Sequence, residues 1–310
     1  MSPAPPLIVV AGATATGKTE LAIRLAEAFA ADARPAAVIS ADSRQVYRGL
    51  DIGTAKATAD DRARVPHFGL DLVDPDEPFS VADFATHARD VLGDLAQRDA
   101  AVAILAGGTG LYLRAIATGL DTDALPNDPA VRARIEAALD ADGLNALVTR
   151  LRSLAPNAAA RVDLRNPRRV VRALEIAELA GDAPPPAPRG YPGPVAWIGL
   201  AVPPPTHATW IAHRARAQFD AGLIDEAAAL RERYDPLLPA FSAIGYREAW
   251  AVLDGTSTLD EAVELDTHRN IGFAKRQRTW FRSEDAIRWL DPTGGDPMPA
   301  AFDLARAATG

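Results

Sequence analysis

Apolar residues in this chain follow two rhythms. Short unbroken runs at Leu7 to Val10, Ala36 to Ser40, Ala101 to Ala106 and Val195 to Val202 read as strands buried on both faces, the mark of a parallel sheet. Runs at Phe68 to Val73 and Ile287 to Leu290 extend the set. Between them the apolar positions take helical spacing. Glu20 to Ala31 sets Leu21, Leu25, Ala28 and Phe29 on one face, and Ser80 to Gln97 forms a helix capped by Ser80. Residues 204–233 and 258–285 read as further helices. Strands alternating with helices predict an α/β fold built on a doubly wound parallel sheet.

From Asp121 to Leu179 the pattern is helical without a strand. Asp128-Pro129 opens one helix, with Val131, Ile135 and Leu139 on one side. Asn166-Pro167 opens another, with Val170, Val171, Leu174 and Ile176. The organisation expected is a discontinuous α/β core, residues 1–120 and 181–310, with a helical insertion at 121–180. Residues 182–194, rich in proline and glycine, read as a mobile loop or hinge, and 293–310 as a weakly determined tail.

Bulk properties narrow the class. The chain has 310 residues, 48% of them hydrophobic, 24% charged and none cysteine. Disulfides and thiolate metal sites are thereby excluded. With no long apolar run and no basic, apolar leader, a soluble cytoplasmic protein without a membrane partner is expected. A monomer is the default. The net charge of −8 argues against nucleic acid unless the basic residues cluster. They do: Arg161, Arg165, Arg168, Arg169 and Arg172 stand against the single acid Asp163. Lys275, Arg276, Arg278 and Arg282 interleave with Trp280 and Phe281. Such groups suit phosphate contact and base stacking, and equally suit solvated helix faces with the aromatic pair in the core.

The chemistry starts at the first strand. Gly12-Ala13-Thr14-Ala15-Thr16-Gly17-Lys18-Thr19 follows it and opens a helix, the context a phosphate loop requires. Its glycines let successive N–H groups face one concavity at a positive helix end. Lys18 adds a mobile charge, and the Thr19 hydroxyl is a candidate Mg²⁺ ligand. The strand Ala101 to Ala106 ends in Gly107-Gly108-Thr109, without the carboxylate that usually serves phosphoryl transfer. An acid follows the second strand instead, as Asp42. It fits a helix cap or a catalytic group at the carboxyl edge of the sheet.

Several segments together resemble the tRNA dimethylallyltransferases, also called tRNA isopentenyltransferases. They are GATATGKTELA at 12–22, ADSRQVYRGLDIGTAK at 41–56, PHFGLDLVDPDEPFSVADF at 66–84 and GGTGLYLRA at 107–115. NPRRVVRALE at 166–175, AIGYREAW at 243–250 and AKRQRTWFR at 274–282 follow. The resemblance spans about Leu7 to Leu290. It implies transfer of a dimethylallyl group from dimethylallyl pyrophosphate to the exocyclic amino nitrogen of the adenine 3′ to the anticodon in tRNA. It implies that the loop residues Gly12 to Thr19, with Arg214, hold the leaving pyrophosphate with Mg²⁺. It casts Asp42 as general base, with Lys18 and Thr109 as its catalytic companions.

For tRNA contact the resemblance implies Asp42, Ser43, Arg44, Gln45, Arg132, Arg168, Arg169, Arg172, Gly245, Tyr246 and Arg247, engaging the anticodon stem-loop. The chain departs from the family at Asn270-Ile271-Gly272, where relatives carry an arginine at the middle position, though Arg269 lies close. A P-loop kinase or NTPase acting on a small metabolite is the alternative. A non-catalytic RNA binder with a decayed loop is a third, and intact Lys18, Thr19, Asp42 and Thr109 argue against it.

Overall fold

The apolar runs pair because a strand with no polar face must be covered on both sides. The computed structural model describes residues 4–122 and 124–309. In chain order the first half contains β1 (Leu7–Gly12), α1 (Lys18–Ala31), β2 (Ala36–Ser40), α2 (Ala59–Arg64), β3 (His67–Phe68), α3 (Val81–Leu95), β4 (Val102–Gly107) and α4 (Gly110–Ala117). Then come α5 (Pro129–Leu154), α6 (Pro156–Arg161) and α7 (Pro167–Ala180). The last part holds β5 (Val195–Leu200), α8 (Pro204–Asp220), α9 (Leu223–Arg233), α10 (Tyr246–Leu253), α11 (Leu259–Phe281), β6 (Arg288–Leu290) and α12 (Met298–Thr309).

The strands form one sheet in the order β3-β2-β4-β1-β5-β6, every pairing parallel. Chain entry and exit reverse between β1 and β4: β1 leads across to β2, and β4 leads back past β1 to β5. Such a switch point opens a crevice at the carboxyl ends of the strands. One sheet face carries Ile8, Val10, Val38, Ile104 and Ile198, buried against Leu21, Leu25 and Phe29 of α1 and Ala301 and Ala305 of α12. The alternate residues Leu7, Val9 and Leu105 are equally buried, and α3, α4 and α11 also pack on the sheet.

Two expectations need correction. The strand expected over Phe68 to Val73 is only His67–Phe68 plus an isolated bridge from Tyr47 to Val73. Gly69 turns the chain away at φ +77°, where a Cβ would meet the Ser40 carbonyl at 2.5 Å. The supposed tail is largely α12, and Phe302 packs its ring on Phe29 at 5.2 Å.

Two compact units result: Met1–Gly119 with Gly190–Gly310, and Leu120–Arg189. Residues past 180 join the helical unit through polar contacts. Asp182 accepts from Asn157 N and Ala158 N at 2.9 and 2.8 Å, and Arg189 pairs with Asp121 at 2.8 Å. In that unit α5 is capped by Asp128 and broken at Gly143, where φ is 79° and ψ 168°. It packs on α7, capped by Asn166, through Ile135, Leu147, Leu151, Val170 and Leu174. Of 182–194, the last residues are tied to the sheet: Tyr191 donates to Pro5 O at 2.7 Å and Leu7 N to Pro194 O at 2.9 Å.

Candidate functional site

The site grows from three strand ends that meet at the crevice. β4 closes on β2: Ala41 N donates to Ala106 O at 2.8 Å, and Thr109 N to Ala41 O at 3.2 Å. Only glycine allows this approach at 107, because a Cβ there would lie 2.1 Å from the Ala41 carbonyl oxygen. The two loops are then stitched by side chains. Thr109 Oγ1 accepts from Ser43 N at 3.0 Å, and Asp42 Oδ1 accepts from Arg44 N at 2.8 Å. Asp42 therefore closes an Asx turn and caps no helix, since residues 43–46 form turns.

β1 runs straight into the phosphate loop. Gly12, at φ +148°, lies so close to β5 that a Cβ would meet Leu200 O at 2.8 Å. Ala15 and Gly17 also take positive φ, 59° and 89°. Thr16 donates its hydroxyl to Ala13 O at 2.9 Å and tightens the turn. Lys18 Nζ reaches the same carbonyl at 2.6 Å. Burial, reinforced by Arg214 and opposed by Asp42, brings the Lys18 pKa down to about 8. The N–H groups of residues 15–19 find no acceptor among the described residues, leaving a concave row of donors at the start of α1.

Two cavities share Asp42 as a wall. The larger, about 440 Å³, is lined by Thr14, Ser43, Arg44 and Thr109 and by the cations Arg214, Arg269 and Arg276. The smaller, about 40 Å³, has Lys18, Thr19, Ser40, Gln45 and His67 around apolar Val38 and Leu70. Arg214 is held by Asn270 Oδ1 at 3.4 Å, and burial lowers its pKa against the pull of Asp266 and Asp42. Behind it Asp266, raised to about 6 chiefly by burial, accepts from Asn270 Nδ2 at 2.7 Å. Arg269 pairs with buried Glu248. The excess of cations over acids suits an anion of high charge.

Most residues singled out from the sequence converge here. Lys18, Asp42 and Thr109 share one crevice, with Ser43 and Arg44 on the wall and Thr19 exposed at the helix start. Gln45 is a brace: it accepts from Ser40 Oγ at 2.7 Å and donates to Thr54 O at 3.1 Å. Tyr246 departs from expectation. It is fully buried, and its hydroxyl donates to Glu226 at 2.7 Å, so it offers RNA no surface. Gly245 is buried beside it, at φ +112°, whereas Arg247 is exposed. Glu226 also receives Ile52 N and Gly53 N at 2.7 and 3.1 Å, fixing the loop that carries Gly53 and Thr54 to the cavity.

In the helical unit Arg168 and Arg169 are exposed on the first turn of α7. Arg132 and Arg172 are partly committed: both donate to the buried carboxylate of Glu175 at 2.7 Å. Burial opposes that charge, but these two arginines and Asp128 N outweigh it and hold Glu175 below its ordinary range. With Arg168 they border a cleft of about 360 Å³. Trp280 stacks under the Arg114 guanidinium, 4.5 Å from its centroid, and Phe281 is in the core.

Gln277, His207 and Asn270 join the site without a sequence signal that marks them. Gln277 bridges the two loops, accepting from Thr14 N at 2.8 Å and donating to Gly108 O at 2.9 Å. The departure Asn270-Ile271-Gly272 thus supplies a partner for Arg214, and Arg269 and Arg276 keep the cavity basic.

A glycine-rich phosphate loop between β1 and α1, at the carboxyl end of an all-parallel sheet, makes the chain a P-loop α/β protein. More narrowly, the chain belongs to the IPP transferase family, whose model matches residues 45–284; a second model, isopentenyl transferase, matches 5–65. A tRNA dimethylallyltransferase of Thermus thermophilus is 42% identical over 299 residues, 95% of each chain. One from Roseiflexus sp. is 41% identical, over 97% of this chain and 98% of the relative. Among solved structures, the full-length tRNA isopentenylpyrophosphate transferase of Bacillus halodurans superposes with a TM-score of 0.70 at 37% identity, covering 97% of this chain and 95% of that one. A eukaryotic dimethylallyltransferase acting on tRNA reaches 0.75 at 25% identity, over 93% and 74%.

Proposed function

We propose that this enzyme transfers the dimethylallyl group of dimethylallyl pyrophosphate to the exocyclic amino nitrogen of the adenine 3′ to the anticodon of tRNA, with Asp42 as general base. One observation carries the assignment: Asp42 lines both the arginine-lined cavity, which Thr14 of the phosphate loop also borders, and the smaller one bordered by Lys18 and Thr19. The allylic C–O bond breaks, and its electron pair leaves with the diphosphate. The amino nitrogen bonds to the freed carbon and gives its proton to Asp42. Free N–H groups of the loop, Lys18 and Arg214 stabilise the charge that develops on the leaving group.

Mg²⁺ fits the donors present. The Thr19 hydroxyl has no protein partner among the described residues. The Thr19 hydroxyl would hold the ion, a hard cation that takes oxygen ligands. When bound, the ion would neutralise diphosphate charge. Thr109 orients Ser43 beside the entering base. The adenine reaches the cavity unstacked, at a cost of a few kcal/mol that a single-stranded anticodon loop keeps small. Ser43, Arg44 and Arg247, with Arg168, Arg169 and the free donors of Arg132 and Arg172, supply RNA contacts.

Incubation with labelled dimethylallyl pyrophosphate and unmodified tRNA, followed by nucleoside mass analysis, tests the reading. Prenylated adenosine is the expected product. Phosphoryl transfer from ATP with no prenylated nucleoside would overturn it. Asp42→Asn is expected to lower turnover by about 10²–10⁴ while tRNA affinity stays near that of the parent. Turnover within a few-fold of the parent would remove Asp42 from the mechanism.

A further inference from the structure

The apex of the phosphate loop takes a conformation that alanine resists. Ala15 lies at φ +59°, and such a residue persists only where its surroundings over-determine it. The peptide groups on either side of Thr14, just before it, are both held by distant side chains. Thr14 N–H is taken by Gln277 at 2.8 Å. The Thr14 carbonyl lies 2.7 Å from His207 Nε2, and His207 Nδ1 lies 2.9 Å from Arg278.

These partners fix the imidazole. A guanidinium only donates, so Nδ1 accepts. A carbonyl only accepts, so Nε2 carries the hydrogen. The ring is therefore neutral with a single tautomer. Burial, seconded by the charges of Arg278, Lys18 and Arg214, lowers its pKa despite the bond to Thr14.

The direction of the held carbonyl matters more than the bond. The structure has no cis peptide among the described residues, so the Ala15 N–H points opposite the Thr14 C=O. His207 and Arg278 border a separate cavity of about 240 Å³, together with Ala13 and Thr16. Thr14 itself borders the larger cavity with Asp42 and Arg214. With the carbonyl held on the His207 side, the Ala15 N–H points to the opposite side, and it meets no protein acceptor among the described residues.

We propose that His207 is a positioning residue for the donor: by holding the Thr14 carbonyl, it aims the Ala15 N–H at the diphosphate. The proposal rests on the reading of the loop as a pyrophosphate cradle, and the test separates the two. Inorganic pyrophosphate binding is measured by calorimetry on the parent, His207→Phe and His207→Gln. Steady-state constants for dimethylallyl pyrophosphate and tRNA affinity are measured alongside.

His207→Phe keeps a ring and loses the donor. It is expected to weaken pyrophosphate binding about tenfold and to raise KM for the donor, with tRNA affinity unchanged. His207→Gln restores an N–H and is expected to recover most of the loss. Nitrogen-15 shifts of the parent imidazole should show Nε2 protonated and Nδ1 bare. Should His207→Phe not fold, Arg278→Met tests the same geometry by freeing the tautomer, and weaker pyrophosphate binding is again expected. A parent that ignores pyrophosphate would sink the cradle and this proposal together. Parent-like pyrophosphate affinity in the folded variants, or an Nδ1-protonated ring, would overturn the proposal alone.

Discussion

Burial and the nearby Arg214 bring the Lys18 pKa down to about 8, with Asp42 pulling the other way. A lysine with a lowered pKa is charged below that value and neutral above it, and a diphosphate needs the ammonium. Affinity for an alkyl diphosphate should therefore be full below pH 8 and fall as pH rises through it. Binding near pH 8 should take up protons, which calorimetry in buffers of different ionisation enthalpy can read. Asp42→Asn removes a group that raises this pKa, so the midpoint should move down; an unmoved midpoint would mean the two groups do not sense each other. The glycines give a second residue-scale contrast. Gly107→Ala forces a Cβ to within 2.1 Å of a carbonyl oxygen, whereas Gly17→Ala meets open space and only an unfavourable φ of +89°. Urea unfolding should show about 3 kcal/mol lost in the first and about 1 kcal/mol in the second. That Lys18, Asp42 and Thr109 meet at one crevice is legible in the sequence because each lies in a short motif at a strand end. Gln277 and His207 are not legible there, because their partner Thr14 is 263 and 193 residues away. Tyr246 was misplaced because a motif names a residue without saying which way its side chain is packed.

The caps and the unbroken apolar runs made most elements legible. Ser80, Asp128 and Asn166 cap α3, α5 and α7 with hydrogen bonds to the first-turn N–H groups. The elements that escaped depend on tertiary contacts. β3 is cut short where Gly69 meets Ser40, and α12 is fixed by Ala301 and Ala305 packing against the sheet and α1. Small residues at those buried positions give a weak apolar signal, so 293–310 read as a tail. Removing 297–310 should expose Phe29 and neighbouring apolar surface and lower the melting temperature by several degrees. An unchanged melting curve would mean α12 contributes nothing to the core. On α7 the exposed pair Arg168 and Arg169 should act through phosphate. Replacing both by Ala is expected to weaken tRNA binding and flatten the plot of log affinity against log salt by about 0.7–0.9 for each phosphate left without its arginine. An unchanged slope would place them away from the RNA.

At the scale of the molecule, the helical unit leaves and rejoins the core at a single place. Gly190 N donates to Thr118 O at 2.9 Å, and a Cβ on Gly119 would lie 2.2 Å from Gly190 O. The two ends of the insertion are thus already in backbone contact within the core. The units also have separate cores: Ile135, Leu147, Leu151 and Leu174 pack among themselves, and the sheet packs on α1 and α12. A core that closes its own chain at the insertion point should fold without the insertion. Replacing Leu120–Arg189 by a turn of about four glycine and serine residues should leave a cooperatively folding protein. That protein should bind pyrophosphate within a few-fold of the parent, because the phosphate loop, Lys18, Arg214 and His207 all lie in the retained unit. Its tRNA affinity should fall on the order of tenfold or more, because the exposed arginines of α7 are gone. Loss of pyrophosphate binding in a folded variant would show that the cradle depends on the helical unit. Parent-like tRNA affinity would mean that the arginines of α7 do not contact the RNA, and that the retained unit alone reads it.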